Sequence, residues 1–154
     1  MGIYNSATIC LNGHVISSTR FDYTSYCDKC GNKSISICPS CNTVIRGAYE
    51  NEIAIDFHYQ APSFCYSCGN PFPWIETLIN NAVELIALDD NLSEENKAII
   101  KSALPDLIVE TPTTPLAAAK YKKFVPKAAK YIQDGLRNLL VDVASEAVKK
   151  SLWS

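Results

Sequence analysis

The sequence contains no apolar run of the roughly 18 residues that a membrane-spanning helix requires. Its N-terminus lacks the basic and then apolar pattern of a secretory signal, so we expect a cytoplasmic protein. Neither phosphate-binding glycine motif, GxxxxGK[ST] or GxGxxG, is present, and the chain has only two histidines. Because no carboxylate group has a recognisable catalytic partner either, we expect a protein that is not an enzyme.

Cysteine is abundant, and all seven cysteines lie before residue 69. Six of them form three CxxC pairs, and the seventh is followed four residues later by a histidine. An odd count does not fit a complete disulfide framework, and CxxC pairs without an export signal favour metal binding. Seven thiolates and one imidazole would complete two tetrahedral zinc sites. The predicted ligands, for two zinc ions per chain, are Cys10, His14, Cys27, Cys30, Cys38, Cys41, Cys65 and Cys68.

The residues beside the ligands support this prediction. A zinc knuckle is a tight turn that needs a residue tolerant of positive φ next to its second ligand. Each of the four ligand pairs has one, and they are Gly13, Gly31, Asn42 and Gly69. A dithiol redox pair and an iron–sulfur cluster are the alternative uses of CxxC, but no thioredoxin-like βαβ unit is visible.

Two details of the metal sites stay open at this point. The spacing does not decide whether the pairs share ions sequentially, in a nested order or in an interleaved cross-brace, and we favour the sequential order slightly. His58 is the rival eighth ligand, although no cysteine lies at knuckle distance from it.

The composition changes near residue 73 and predicts two modules in an α+β protein. Residues 1–73 hold every cysteine and short β-like stretches, so they predict a small β-rich double zinc-ribbon module. Alternation of apolar and polar residues predicts a strand over 52–59, and 14–19 and 43–46 are weaker strand candidates. Pro71 and Pro73 close this module, and residues 74–154 read as a helical module for docking or oligomerisation.

Apolar periodicity predicts four helices in the second module. The first carries apolar residues from Ile75 to Ile86, and the second is capped by Ser93 and stopped by Pro105. The prolines of 111–115 predict a stiff, extended connector. A short helix over 116–124 and a longer one from about Pro126 to Leu152 complete the module.

Two surfaces of this helical module are candidates for binding. Residues 120–137 carry six basic side chains against one acid, Asp134, which a solvated helix face also explains. The basic residues are Lys120, Lys122, Lys123, Lys127, Lys130 and Arg137. The last helix is apolar on two sides, which is typical of a helix sandwiched between partners. Its second apolar side predicts an interface seam of Val141, Val148 and Leu152.

The ligand motifs also carry a family resemblance. Cys10-x-Asn12-Gly13-His14, Cys27-x-x-Cys30-Gly31, Cys38-Pro39-x-Cys41 and Cys65-x-x-Cys68-Gly69-x-Pro71-x-Pro73-Trp74 resemble a bacterial domain-of-unknown-function family of small zinc-ribbon proteins. The likeness continues through Thr111-Pro112 to Ser145-Glu146 and covers most of the chain. It implies a bacterial cytosolic protein with zinc ribbons and a helical C-terminal part, and it implies no activity.

From these observations we expect a non-catalytic, zinc-binding interaction or regulatory protein. A protein partner or self-association is the expected mode of action, and no small-molecule substrate is evident. Residues 1–73 hold four basic and five acidic side chains, a balance poorly suited to attract phosphate. A nucleic-acid-associated factor using the 120–137 stretch is therefore the alternative. A membrane-active effector using the C-terminal helix is the second alternative.

Overall fold

The structure, a computed structural model, describes residues 3–20, 25–49 and 59–153. It divides into two compact units, Met1–Thr77 and Leu78–Ser154, which we call the zinc unit and the helical unit. Short strands occupy the first and helices the second, so the α+β class is confirmed. The strand expected over 52–59, which includes His58, lies outside the described residues up to position 58.

In the described part of the zinc unit, five short strands form two small sheets. β1 (Tyr4–Ser6) pairs with β5 (Arg46–Tyr49), and β2 (Thr8–Cys10) lies between β3 (Val15–Ser17) and β4 (Ser34–Ile35). All of these pairings are antiparallel. The candidate strand over 14–19 is present as β3. The candidate over 43–46 differs, because the strand begins only at Arg46.

The apolar core of the zinc unit is small and includes a stacked aromatic pair. The Phe72 and Trp74 rings stack with centroids 4.9 Å apart, and Trp74 Nε1 donates to the carbonyl of Pro62 at 3.0 Å. Gly47 lies so close to neighbouring backbone that a Cβ there would be 2.1 Å from the carbonyl oxygen of Ser18. At Gly47, therefore, backbone packs directly against backbone and leaves no room for a side chain.

Six helices follow in the described residues from Pro73 onward. They are α1 (Pro73–Leu88), α2 (Glu94–Ala103), α3 (Pro105–Ile108), α4 (Thr114–Phe124), α5 (Lys130–Leu140) and α6 (Glu146–Trp153). A 3-10 turn (Val125–Lys127) separates α4 from α5. Ser93 caps α2 as expected, because its hydroxyl accepts from the backbone N–H of Asn96 at 3.1 Å. Among the residues that the structure describes, no helix combines the length and apolar character needed to cross a membrane.

One expectation about proline is confirmed and one is wrong. α2 ends at Ala103, before Pro105 as expected, although Pro105 also begins the short α3, which was not predicted. The extended connector over 111–115 is a turn followed by the first residues of α4, with Pro115 in the first turn. Proline is tolerated in the first turn of a helix because the N–H that it lacks has no helical acceptor there. The Thr114 hydroxyl, which donates to the carbonyl of Val109 at 2.9 Å, fixes this turn.

The prediction of a single long C-terminal helix is also wrong. α5 ends at Leu140, and the Ser145 hydroxyl accepts from the N–H of Val148 at 3.2 Å to begin α6. Val141 falls in the break, and Val148 is only 3% exposed. Val141, Val148 and Leu152 therefore do not form one exposed seam, since the helix that would align them is interrupted and one of them is buried in its own unit.

The helical unit has a continuous aliphatic core and one buried carboxylate. α4 packs against α2, α3 and α6. Asp89 is 1% exposed, and its oxygens accept from the backbone N–H groups of Asn91 at 2.9 Å, Leu92 at 2.7 Å and Ala129 at 2.8 Å. Burial favours the protonated form, but these hydrogen bonds and the charge of Lys97 outweigh it and lower the pKa of Asp89. The carboxylate therefore ties the end of α1 to the start of α5.

Candidate metal centres

The eight predicted ligands come together in two groups of four. Cys10, His14, Cys27 and Cys30 form the first site, and Cys38, Cys41, Cys65 and Cys68 form the second site. Within each site the ligand atoms all lie within 4.8 Å of one another. This is the sequential arrangement, and it is neither the nested nor the interleaved one.

The sulfur–sulfur distances match a tetrahedral metal ion. Zinc–sulfur bonds of about 2.3 Å in a tetrahedron place two sulfurs about 3.8 Å apart. The Sγ atoms of Cys10 and Cys30 are 3.7 Å apart in the first site. In the second site the corresponding distances are 3.8 Å for Cys38–Cys68 and 3.7 Å for Cys41–Cys65. Both sites are therefore spaced to hold an ion, and all seven cysteines are free of disulfides.

His14 presents its Nδ1 atom to the first site. Nδ1 lies 3.4 Å from Cys10 Sγ and 3.7 Å from Cys27 Sγ, close to the roughly 3.5 Å between a nitrogen and a sulfur bound to one tetrahedral zinc ion. The short spacing between Cys10 and His14 is bridged by a tight turn, in which the N–H of Gly13 donates to the carbonyl of Cys10 at 2.9 Å.

The four ligand turns have the backbone conformation expected from the sequence. The residues with positive φ are Gly13 (91°), Gly31 (73°), Asn42 (63°) and Gly69 (76°). In each turn the N–H of this residue donates to the carbonyl of the first cysteine of its pair, at 2.8 to 2.9 Å. The left-handed residue reverses the chain within the reach of one metal ion, which explains the preference for glycine and asparagine.

Backbone N–H groups also point at the sulfurs. The N–H groups of His14, Lys29 and Ser67 donate to Cys10, Cys27 and Cys65 respectively, at 3.3 to 3.4 Å. Hydrogen bonds of this kind stabilise a thiolate and orient it toward a metal.

Local contacts shift the pKa of several ligand thiols. The backbone N–H of Asn32 and then the Asn12 amide lower the pKa of Cys30 to about 6. The hydroxyl and then the N–H of Thr43 lower the pKa of Cys41 to about 6. Burial raises the pKa of Cys10. Metal ligands must be deprotonated, so hydrogen bonds that favour the thiolate also favour metal binding.

Two of these stabilising side chains were not identified from the sequence as functional. Asn12 Nδ2 donates to Cys30 Sγ at 3.3 Å, and the Thr43 hydroxyl shares a 3.2 Å hydrogen bond with Cys41 Sγ. Both belong to ligand turns, but Asn12 reaches a cysteine contributed by a different turn. A polar residue inside or just after a CxxC-type turn is the only available signal.

The basic stretch does not form one uniform surface. Lys130 pairs with Asp134 at 3.1 Å, and Lys123 and Lys127 lie over the ring of Phe124. Lys122, Lys130 and Arg137 line a cavity of about 210 Å³. Lys120 is half-buried and does not line that cavity.

Comparison with known families agrees with the resemblance in the ligand motifs. The model of a family described as an uncharacterised protein conserved in bacteria (DUF2321) matches residues 3–152. The chain belongs to this bacterial family. Neither a curated protein nor a solved structure matches the chain significantly. The family match spans both the ligand turns and the helical unit, so the two units occur together as a family trait.

Proposed function

We propose that the protein is a non-catalytic interaction or regulatory protein of the bacterial cytoplasm, built around two structural zinc ions. This proposal rests on the observation that both sites have a complete set of protein ligands. Each holds four protein ligand atoms within 4.8 Å of one another. A catalytic zinc ion keeps one coordination position for water or substrate, and four protein ligands occupy every position of a tetrahedral ion.

The donor sets favour zinc over other metals. Three thiolates with one imidazole, and four thiolates, are the usual ligands of structural zinc sites. Reduced cysteines also suit a cytoplasmic location, where thiols are kept from forming disulfides. An ion bound in this way contributes directly to the folding free energy of a module with a small core.

An exposed apolar surface around the second site supports a role in protein binding. Ile37 and Val44 face each other across an isolated β-bridge in one ligand turn and are 44% and 39% exposed. Phe64 and Tyr66 belong to the other ligand turn of the same site and are also exposed. Grouped exposed apolar side chains on a small protein are typical of interaction sites. The zinc ion would hold the two turns rigid, so the surface would be preformed.

Elemental analysis of the purified protein tests the metal proposal. We expect two zinc ions per chain, one after His14→Ala and two after His58→Ala, which removes the other histidine. A finding of iron, or of two zinc ions in the His14→Ala protein, would contradict the assignment of ligands.

Quantitative co-purification tests the interaction proposal. We expect the double change Ile37→Ser and Phe64→Ser to abolish capture of a stoichiometric protein partner, or self-association, without changing the zinc content. Leu88→Ser is the matched control, because Leu88 is an equally apolar, 64% exposed residue near the end of α1. Equal capture by both variants would show that this surface is not the interface.

A further inference from the structure

A cavity in the helical unit gathers residues from three helices and the 3-10 turn. We call it the basic cavity, and its volume is about 210 Å³. α5 presents Lys130, Gln133, Asp134 and Arg137 to it, a spacing that places all four on one face of the helix. A neighbouring face of α5 buries Ile132, Leu136 and Leu140 in the core. The cavity is therefore formed by the polar side of a helix that packing on a neighbouring face holds in place.

The cavity has a positive charge that its own acid only partly balances. Lys122, Lys130 and Arg137 line it, and among the described residues Asp134 is the single acidic one in its lining. Asp134 forms an ion pair with Lys130 at 3.1 Å. Within the described ranges, neither Lys122 nor Arg137 forms an ion pair. Two cationic side chains thus remain available to an anion at the same opening.

Tyr121 adds an unsatisfied donor to this cavity. Its side chain is 5% exposed, and its buried hydroxyl has no hydrogen-bond partner of normal geometry in the part of the chain that the structure describes. Burial raises the pKa of Tyr121 to about 12, so the hydroxyl is protonated and able to donate at neutral pH. A buried hydroxyl without a partner costs about 1–3 kcal/mol, which a ligand oxygen would relieve.

The remaining walls are apolar. Val125, Pro126, Leu152 and the indole of Trp153 complete the lining. The Trp153 ring packs edge-on against the Tyr121 ring, with centroids 6.0 Å apart at an interplanar angle of 90°. Trp153 therefore borders the cavity and packs directly against the ring of Tyr121, which also lines it.

We propose that the basic cavity binds a small organic anion, a carboxylate or phosphate group attached to a compact apolar body. Arg137 and Lys122 would hold the oxyanion, Tyr121 would donate to it, and Trp153 with Leu152 would pack against the apolar part. The volume is below the roughly 300–1,000 Å³ of sites for drug-sized ligands, which restricts the ligand to a small molecule. A nucleic-acid backbone fits less well, because it needs a row of cations and only two of the cations that line this cavity have no ion pair among the described residues.

The two tryptophans provide a direct test. Trp153 lies in the helical unit and Trp74 in the zinc unit, so a 15N-labelled full-length protein should give one indole N–H signal for each. Titration with phenyl phosphate or benzoate should move the Trp153 signal saturably and leave the Trp74 signal in place. The probe that binds more tightly shows whether the cavity prefers a phosphate or a carboxylate group. Phenol, which has no charge, and inorganic phosphate, which has no apolar body, are the controls.

Variants distinguish a defined site from general basic charge. Arg137→Gln should weaken binding of the better probe by about 10-fold or more, as expected for loss of a charged hydrogen bond. Tyr121→Phe keeps the ring and should weaken binding by about 2- to 10-fold. Lys120→Gln is the matched control, because it removes the same charge from the same stretch outside the cavity, and it should leave affinity within about 2-fold, consistent with a screened surface charge.

Four results would overturn the proposal. They are the absence of a saturable Trp153 shift, equal binding of inorganic phosphate and phenyl phosphate, equal weakening by Arg137→Gln and Lys120→Gln, and unchanged affinity in Tyr121→Phe. A short oligonucleotide that moves Trp153 more strongly than either probe would assign the surface to nucleic acid instead. None of these outcomes depends on zinc content, which is measured on the same samples.

Discussion

The zinc unit and the helical unit differ in the kinds of residues that they bury. Among the described residues, the zinc unit buries few large apolar side chains, and four of its buried residues are the ligands Cys10, Cys27, Cys38 and Cys65. The helical unit buries a continuous set of aliphatic residues, which includes Ile86, Ile100, Leu104, Leu107, Ile132, Leu136 and Leu140. A unit with so little apolar burial needs another source of folding free energy, and its two ligand groups could provide one by holding metal ions.

The largest test of this comparison is metal removal. A strong chelator should unfold the zinc unit and leave the helical unit folded, because structural zinc supplies on the order of 10 kcal/mol in small zinc peptides. The Trp74 indole signal should collapse to its unfolded position while the Trp153 signal and most of the helical circular dichroism persist. Added zinc should restore Trp74. A Trp74 signal that stays dispersed in chelator would show that packing, rather than metal, holds this unit.

The reciprocal test removes packing from the helical unit. Leu136 is 1% exposed, and Leu136→Ala should destabilise this unit by about 2–5 kcal/mol through lost burial and a cavity. Urea unfolding followed at the Trp153 indole measures the change, and the zinc content should remain that of the wild type. Leu116→Ala at a 55% exposed position is the control and should have little effect. Equal losses in both variants would contradict a core centred on α5.

The metal sites were predictable because the residues that define each ligand turn lie close together in the sequence. Residue type and spacing identify the ligands, and one left-handed residue per turn, such as Gly31 or Asn42, sets the backbone conformation. The sharing of ions was not predictable, since it depends on strand pairing between distant segments such as Ile9 with Ile35. Asn12 was missed for the same reason, because it donates to a cysteine in another turn.

The number of helices was predicted correctly only where the residue that begins each helix was recognised in the sequence. Ser93 was recognised as a cap, and α2 begins where it indicates. Ser145 makes the same kind of contact, but it lies within an apparently continuous apolar pattern, so one long helix was expected where two occur. Pro105 and Pro115 were read as breaks, although proline also fits the first turn of a new helix.

A third, smaller effect concerns the buried carboxylate of the helical unit. Asp89→Asn should destabilise the unit by about 1.5–3 kcal/mol at pH 7, because a charged acceptor for three backbone N–H groups is lost. The folded-state pKa of Asp89 is lowered, so its contribution is present above the unfolded pKa of about 3.9 and is lost as pH falls through the folded value.

Urea unfolding at several pH values measures this effect at the Trp153 indole. The Asp89→Asn protein should lose less stability on acidification than the wild type does. Asp90→Asn is the matched control, since Asp90 is the exposed neighbour and its change should be neutral. An Asp89→Asn protein with unchanged acid sensitivity would show that other groups cause it.

The smallest expected effect is a loss of metal affinity at one metal site and not at the other. Asn12→Ala removes one hydrogen bond to Cys30 and Thr43→Val removes one to Cys41, so each change weakens a different site. Loss of such a supporting contact typically lowers metal affinity by about 10- to 100-fold. Both variants should still purify with two zinc ions, and competition with a graded chelator should release one ion earlier than in the wild type. The identity of that ion follows from the resonances that change, near His14 for Asn12→Ala and near Phe64 for Thr43→Val. If either variant released both ions earlier, the sites would be coupled rather than independent, and the zinc unit would fold around its two ions as one cooperative element.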